Sequence, residues 1–204
     1  SLWGGAALIR AGGLLHIVGL FLLVLAATMA VPLAYGLATG SAGLPAMGAA
    51  AGITGFCGAA LFVSRRPPPT EVSVREGVLL VVTVWALACL FGALPFALSP
   101  HFASFTDAVF ESASGFTTTG ATVLTDVEAL PPAIQLWRCF THWLGGMGIV
   151  LLGIAVLPLL GTGGMHLYRA EFSGAKSEKL KPRILETALA LWRIYVALTL
   201  AEYV

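Results

Sequence analysis

Residues 105–124 read FTDAVFESASGFTTTGATVL. The stretch carries two acids, Asp107 and Glu111, a dense run of Ser, Thr and Gly, and no lysine or arginine. Apolar runs long enough to cross a membrane lie on both sides of it. Polar backbone containing glycine is tolerated between two crossings only where protein buries it or where it lines a watery path. The sequence of this stretch therefore predicts a short half-membrane helix followed by a strand that coordinates a cation.

The composition supports a membrane setting. Hydrophobic residues make up 58% of the 204 and charged residues 10%, with a mean hydropathy of +0.91. A soluble domain carries about 25% charged residues, so the chain reads as an all-α integral membrane protein. Cys57, Cys89 and Cys139 fall inside apolar runs without CxxC or metal-ligand spacing. An odd number of such thiols excludes a disulfide framework and leaves small packed residues.

Outward from the central stretch, residues 77–98 form the preceding span, closed by Pro95 and Pro100, and residues 133–160 the following one. At about 1.5 Å per residue the latter reaches about 42 Å, longer than a hydrocarbon core of about 30 Å. Tilt or bending is expected there, with Gly145, Gly146, Gly148 and Gly153 as places to bend. Two further spans come first, over residues 14–38, with Pro32 and a packed or interfacial His16, and over 46–64. Gly48 and Gly52 in the second have small-xxx-small spacing, which lets helix backbones approach closely in lipid. A proline-rich charged linker covers 64–76, and the basic segment 161–183 leads to a last apolar run from Ile184. That run is still in progress at Val204, and the chain starts without Met, so it is expected to be a fragment. The expected organisation is 1–73, a two-helix segment with linker; 74–165, a span–pore-loop–span repeat; and 166–204, a linker and the first span of a second repeat.

Positive residues set the topology. Arg10, Arg65, Arg66, Arg75, Arg169, Lys176, Lys179, Lys181 and Arg183 fall on one face if the spans alternate, nine of the eleven basic residues. Residues 39–45 and 99–132 then face the other side and contain none. The pattern holds only if 99–132 enters and returns from the outer face, with the N-terminus cytoplasmic. Ser104 and Asp107 have capping-box spacing, which starts a helix over about 105–115, roughly 16 Å long. Its carbonyl end, near the bilayer centre, favours a cation. Gly115 is expected to let the chain turn back. Thr117, Thr118, Thr119, Gly120, Ala121 and Thr122 then run outward in extended form, offering backbone carbonyls that can replace an ion's hydration shell. Asp126 and Glu128 are placed at the outer mouth, where acids concentrate cations.

The ordered set FESASGFTTTGATVL, LWRCFTHWLGGMGIVLLGIAVLPLLGTGGMHLYRAEFSG and KPRILETALALWRIYV resembles the TrkH-type membrane subunits of Trk potassium uptake proteins. The resemblance covers nearly the whole chain and is firmest from about Phe105 to Val196. It implies a pore of four covalently linked, non-identical repeats, each a span, a pore helix with filter strand, and a second span. Two extra helices precede the first repeat. It also implies that Gly120 is the filter glycine and that potassium is held at Thr118, Thr119 and Gly120, with Ala121 and Thr122 beside them. In related plant transporters a serine at that glycine goes with sodium permeation, so Gly120 favours potassium. The resemblance further implies a bacterial cytoplasmic membrane, a homodimer of full-length chains and a cytosolic nucleotide-binding ring of the TrkA type. Any NAD or ATP would bind that ring, with no cofactor on this chain, no enzymatic activity and no nucleic-acid partner.

Arg138 is expected to pair with Glu111 or with carbonyls behind the filter, and His142, one turn on, to be a packed core histidine. Arg193 lies about ten residues into the last run; it either pairs with Glu186 or marks a helix that begins well below the membrane. Two other functional classes compete. Ser112-Ala113-Ser114-Gly115 resembles part of an intramembrane serine protease motif, with Ser114 as nucleophile and His142 as base, although the first glycine is absent. A membrane scaffold subunit that conducts nothing is the other.

Overall fold

The computed structural model describes residues 11–64, 74–160 and 177–202, with side chains described over 12–64, 76–150 and 186–202. The side chains of the nine basic residues that set the expected topology lie outside this range. The order is α1 Ala11–Thr39, α2 Leu44–Ser64, α3 Val74–Gly92, α4 Leu94–Ala97, α5 Phe105–Phe116, α6 Pro132–Leu160 and α7 Ser177–Glu202. No strand occurs among the described residues. Among the described residues, three stretches, Gly12–Thr39, Leu44–Ser64 and Glu76–Ala97, are long and apolar enough to cross a membrane. Exposed Val24, Leu37, Phe56, Val63 and Val82 on these helices suit lipid rather than water.

The chain forms two compact units, one ending at His142 and one beginning at Trp143. In the first, α1 packs along α2 and also meets α3, while α5 rests on α3 and α4. The close approach of α1 and α2 is not where small-xxx-small spacing put it. A Cβ on Gly48 would reach only Leu33 at 3.9 Å, and one on Gly52 would meet nothing. The backbones touch instead at Gly19 and Gly58: a Cβ on Gly58 would lie 2.8 Å from the Leu23 amide nitrogen and 3.0 Å from the Gly19 carbonyl. Spacing along one helix cannot report a crossing that depends on a glycine in another. Gly58→Ala is therefore expected to destabilise the protein by about 1–3 kcal/mol through overpacking against backbone. Gly52→Ala, in open space, should be neutral or gain up to about 1 kcal/mol from helix propensity. Thermal unfolding of both variants in detergent compares them directly.

His16 sits at the same helix pair, its ring stacked on Phe62 at 4.3 Å and its Nδ1 3.0 Å from the Phe62 carbonyl oxygen. The uncharged turn between α1 and α2 reaches the start of α6. The buried Ser41 Oγ accepts the Ala133 amide at 3.2 Å, capping α6 from a residue 92 positions away. Gly36 and Gly43 bring the turn against Ala133 and Ile134 so closely that a Cβ at either would overlap them. The two leading helices and the start of α6 are thus packed into one body.

The third span breaks at Ala93, between α3 and α4. Pro95 opens α4 and supplies no amide for the Phe91 carbonyl, which loosens the helix at that turn. The fully buried Trp137 of α6 donates its indole N–H to the Gly92 carbonyl at 2.9 Å, satisfying a helix-end acceptor.

In the second unit, Trp143 of α6 donates to Thr199 Oγ1 at 3.1 Å and meets Trp192 edge-on at 5.5 Å. Tyr195 O–H donates to the Trp143 carbonyl at 3.1 Å. The helix α7 starts at Ser177, ahead of the apolar run that opens at Ile184. Arg193 and Glu186 are both exposed and form no ion pair among the described residues. The expected pair with Glu186 is thus not formed.

Candidate ion-coordinating site

Helix α5 begins as its spacing predicts. Ser104 is the N-cap, with extended backbone, and its Oγ accepts the Asp107 amide at 3.1 Å. Asp107 in the first turn lies at the positive end of the helix dipole. The helix is 12 residues long, or about 18 Å.

Its other end differs from expectation. Gly115 does not turn the chain; it is buried inside the last helical turn, where a Cβ would run into the Thr141 side chain of α6. Its missing side chain serves close packing of α5 on α6. The reversal comes at Thr118, with φ 56°, in the left-handed region. The Thr118 amide donates to the Gly115 carbonyl and the Thr119 amide to the Ser114 carbonyl, each at 2.9 Å. These two bonds form a Schellman closure, which usually takes glycine at the left-handed position. A β-branched residue there stores about 1–3 kcal/mol of strain, held in place by its surroundings.

Beyond the turn, the segment is pinned by buried groups of α5. Glu111, 1% exposed, accepts from Thr122 Oγ1 at 2.8 Å and from the Val123 amide at 3.2 Å through Oε2. Its Oε1 accepts Arg138 Nε of α6 at 2.6 Å, the expected ion pair. One carboxylate therefore joins the segment to α6. Ser114, 6% exposed, donates its hydroxyl to the Ala121 carbonyl at 2.6 Å.

These bonds fix where carbonyls point. Every described peptide is trans, so each C=O opposes the next residue's N–H across the same peptide plane. The Thr118, Thr119 and Val123 amides are bonded to α5. The carbonyls of Thr117, Thr118 and Thr122 consequently turn away from it. Among the described residues, no hydrogen bond engages the carbonyls of Thr117, Thr118, Thr119 or Gly120. Ala121 is the exception, since its carbonyl faces Ser114. Its oxygen thus points opposite to those of Thr117, Thr118 and Thr122. Gly120 has φ 77°, and a Cβ there would meet nothing within 4 Å, so backbone angle rather than space calls for glycine. Residues 117–123 are exposed, over a support that buries Glu111, Ser112, Phe116, Trp137 and Thr141. Phe116 meets Trp137 edge-on at 6.4 Å, one residue before the turn. At the far end Asp126 is exposed and accepts the Glu128 and Ala129 amides at 3.0 and 3.3 Å, which shapes the approach to α6.

The TrkH profile, described as a cation transport protein, matches residues 46–204. The chain belongs to the TrkH family. The Trk system potassium uptake protein TrkH of Halomonas elongata is 48% identical over 188 residues, covering 91% of this chain and 39% of that protein. TrkH of Escherichia coli K12 is 46% identical over 193 residues, with the same shares covered. The crystal structure of the potassium transporter TrkH from Vibrio parahaemolyticus superposes with a TM-score of 0.79 at 38% identity, over 94% of this chain and 38% of that one. The chain thus spans about two fifths of the length of these TrkH relatives. The family is one of transport proteins, not of enzymes.

The protease arrangement finds no support in this TrkH-family chain. The Ser114 hydroxyl is committed to the Ala121 carbonyl, and His142 Nδ1 lies 3.0 Å from the Arg138 carbonyl oxygen. No hydrogen bond joins Ser114 to His142 among the described residues. Sequence reasoning placed Ser114 only in that motif and passed over Thr141 and the Trp137 bond to Gly92. The buried serine one residue before a helix-end glycine was the one available signal.

Proposed function

We propose that the full-length protein carries potassium across the bacterial cytoplasmic membrane and that residues 117–122 form one of four filter strands. The observation that carries this reading is the row of carbonyls at Thr117, Thr118, Thr119 and Gly120, engaged by no hydrogen bond among the described residues, beside the C-terminal end of a short helix. Carbonyl oxygens presented in succession replace the hydration shell of a potassium ion. The negative end of α5 adds favourable potential. Thr118, Thr119 and Gly120 are the central ligands, and Ala121 and Thr122 space and anchor the strand beyond them. Ser104, Asp107, Glu111, Gly115 and Arg138 form the scaffold. The potassium uptake named for the Halomonas and Escherichia relatives supports the choice of ion.

On this reading residues 99–132 re-enter from the outer face and the N-terminus is cytoplasmic. Three further repeats complete the pore, two full-length chains pair, and a TrkA-type cytosolic ring regulates transport and holds any nucleotide. Gly120→Ser in the full-length protein should weaken potassium-over-sodium discrimination by about tenfold, the equivalent of 1.4 kcal/mol. Rubidium uptake by a potassium-uptake-deficient bacterium, competed with sodium, measures this. Unchanged discrimination removes Gly120 from the filter.

A further inference from the structure

We propose that Ser114 is a positioning residue for ion selection: its hydroxyl holds the Ala121 carbonyl off the ion path and ends the coordinating row at Gly120. The proposal rests on the filter reading above and adds to it the device that sets where the row stops.

Ser114 grips the segment on both sides of Gly120. Its backbone carbonyl accepts the Thr119 amide at 2.9 Å, and its side chain donates to the Ala121 carbonyl at 2.6 Å. The first bond turns the Thr118 carbonyl outward, because C=O and N–H oppose each other across a trans peptide. The second turns the Ala121 carbonyl inward. Gly120 lies between the two grips with φ 77°, and its own carbonyl has no partner among the described residues. A single buried serine thereby sets opposite orientations at two peptides that flank the most permissive residue of the segment.

Two features make the hydroxyl, rather than bulk, the operative group. Ser114 is 6% exposed and its hydroxyl donates to the Ala121 carbonyl from a position fixed by α5, so removing it takes away a preorganised donor. The neighbouring peptide is already held by Glu111, through Thr122 Oγ1 and the Val123 amide. Loss of the Ser114 hydroxyl therefore frees one peptide, that between Ala121 and Thr122, while the strand stays anchored on either side. A freed carbonyl at that height adds an oxygen to the row or leaves a gap beside Gly120. Either change alters the fit of a dehydrated ion before it alters folding.

The test uses the full-length protein in a potassium-uptake-deficient bacterium, with rubidium uptake competed by sodium and normalised to the amount of protein in the membrane. Ser114→Ala is expected to reduce potassium-over-sodium discrimination about fivefold, the factor carried by one net hydrogen bond. Ser114→Cys, similar in shape with a weak donor, should fall between Ala and the unaltered protein. A purely structural role would lower uptake of every cation together and leave the ratio unchanged. Gly120→Ser runs alongside as the reporter of the filter itself. A changed ratio in Gly120→Ser with an unchanged ratio in both Ser114 variants overturns the proposal and leaves the filter standing. No change in any of the three overturns both. Should Ser114→Ala fail to reach the membrane, the ratio in Ser114→Cys decides, a shift towards sodium supporting the proposal and an unchanged ratio overturning it.

Discussion

Glu111→Ala is expected to abolish transport and to cost about 3–5 kcal/mol of stability, the range for removing one member of a buried ion pair. The carboxylate accepts three hydrogen bonds, from Arg138 Nε, Thr122 Oγ1 and the Val123 amide. Its removal leaves the Arg138 guanidinium, 14% exposed, with an uncompensated charge. It also releases Thr122 and Val123, at the end of the proposed coordinating segment. Glu111→Gln keeps the size and one acceptor oxygen but loses the charge, so it should retain more fold than transport. Thermal unfolding in detergent and rubidium uptake separate the two effects. A Glu111→Ala protein with normal uptake would show that Arg138 and the segment need no shared anchor.

Gly115→Ala should reduce transport severely through crowding alone. A Cβ at residue 115 overlaps the Thr141 side chain, and Thr141 is itself fully buried and tied to the Arg138 carbonyl by its hydroxyl at 2.7 Å. With no room to yield, α5 must move away from α6 at an expected cost of about 1–3 kcal/mol. The displacement falls three residues before Thr118, so it directly reaches the turn proposed to coordinate potassium. Thr141→Ala removes the overlapping hydroxyl and should rescue part of the loss. The Cβ of residue 141 would still stand 2.9 Å from the new methyl, so the rescue stays incomplete. A double-mutant cycle on thermal stability should give a coupling of about 0.5–3 kcal/mol between the two positions.

The parts legible in the sequence were those governed by local rules. The Ser104 cap and the length of α5 follow from residue types at fixed offsets, whereas Pro95, read as marking the end of the third span, accompanies a break within it. The Glu111–Arg138 pair was foreseeable because a charge near the membrane needs a partner and few acids were within reach. What stayed hidden depends on two separate elements meeting. Glycine spacing within α2 pointed to Gly48 and Gly52, but the contact forms at Gly58 because Gly19 of α1 arrives there. The turn was assigned to Gly115 because glycine is the usual left-handed residue. It falls at Thr118 because Thr141 claims the glycine for packing. Ala121 looked like one more carbonyl in a row, and only the Ser114 hydroxyl shows that its oxygen faces the other way. Strand-like composition names the segment; hydrogen bonds to α5 decide which of its oxygens are free.

The most direct test of potassium coordination by residues 117–120 is a crystal structure of the full-length protein in rubidium, read from the anomalous signal. Rubidium at coordination distance from the carbonyl oxygens of Thr117, Thr118, Thr119 and Gly120, with none bound to the Ala121 oxygen, is the expected result. An anomalous map with rubidium bound elsewhere in the membrane region and none at these carbonyls would contradict it.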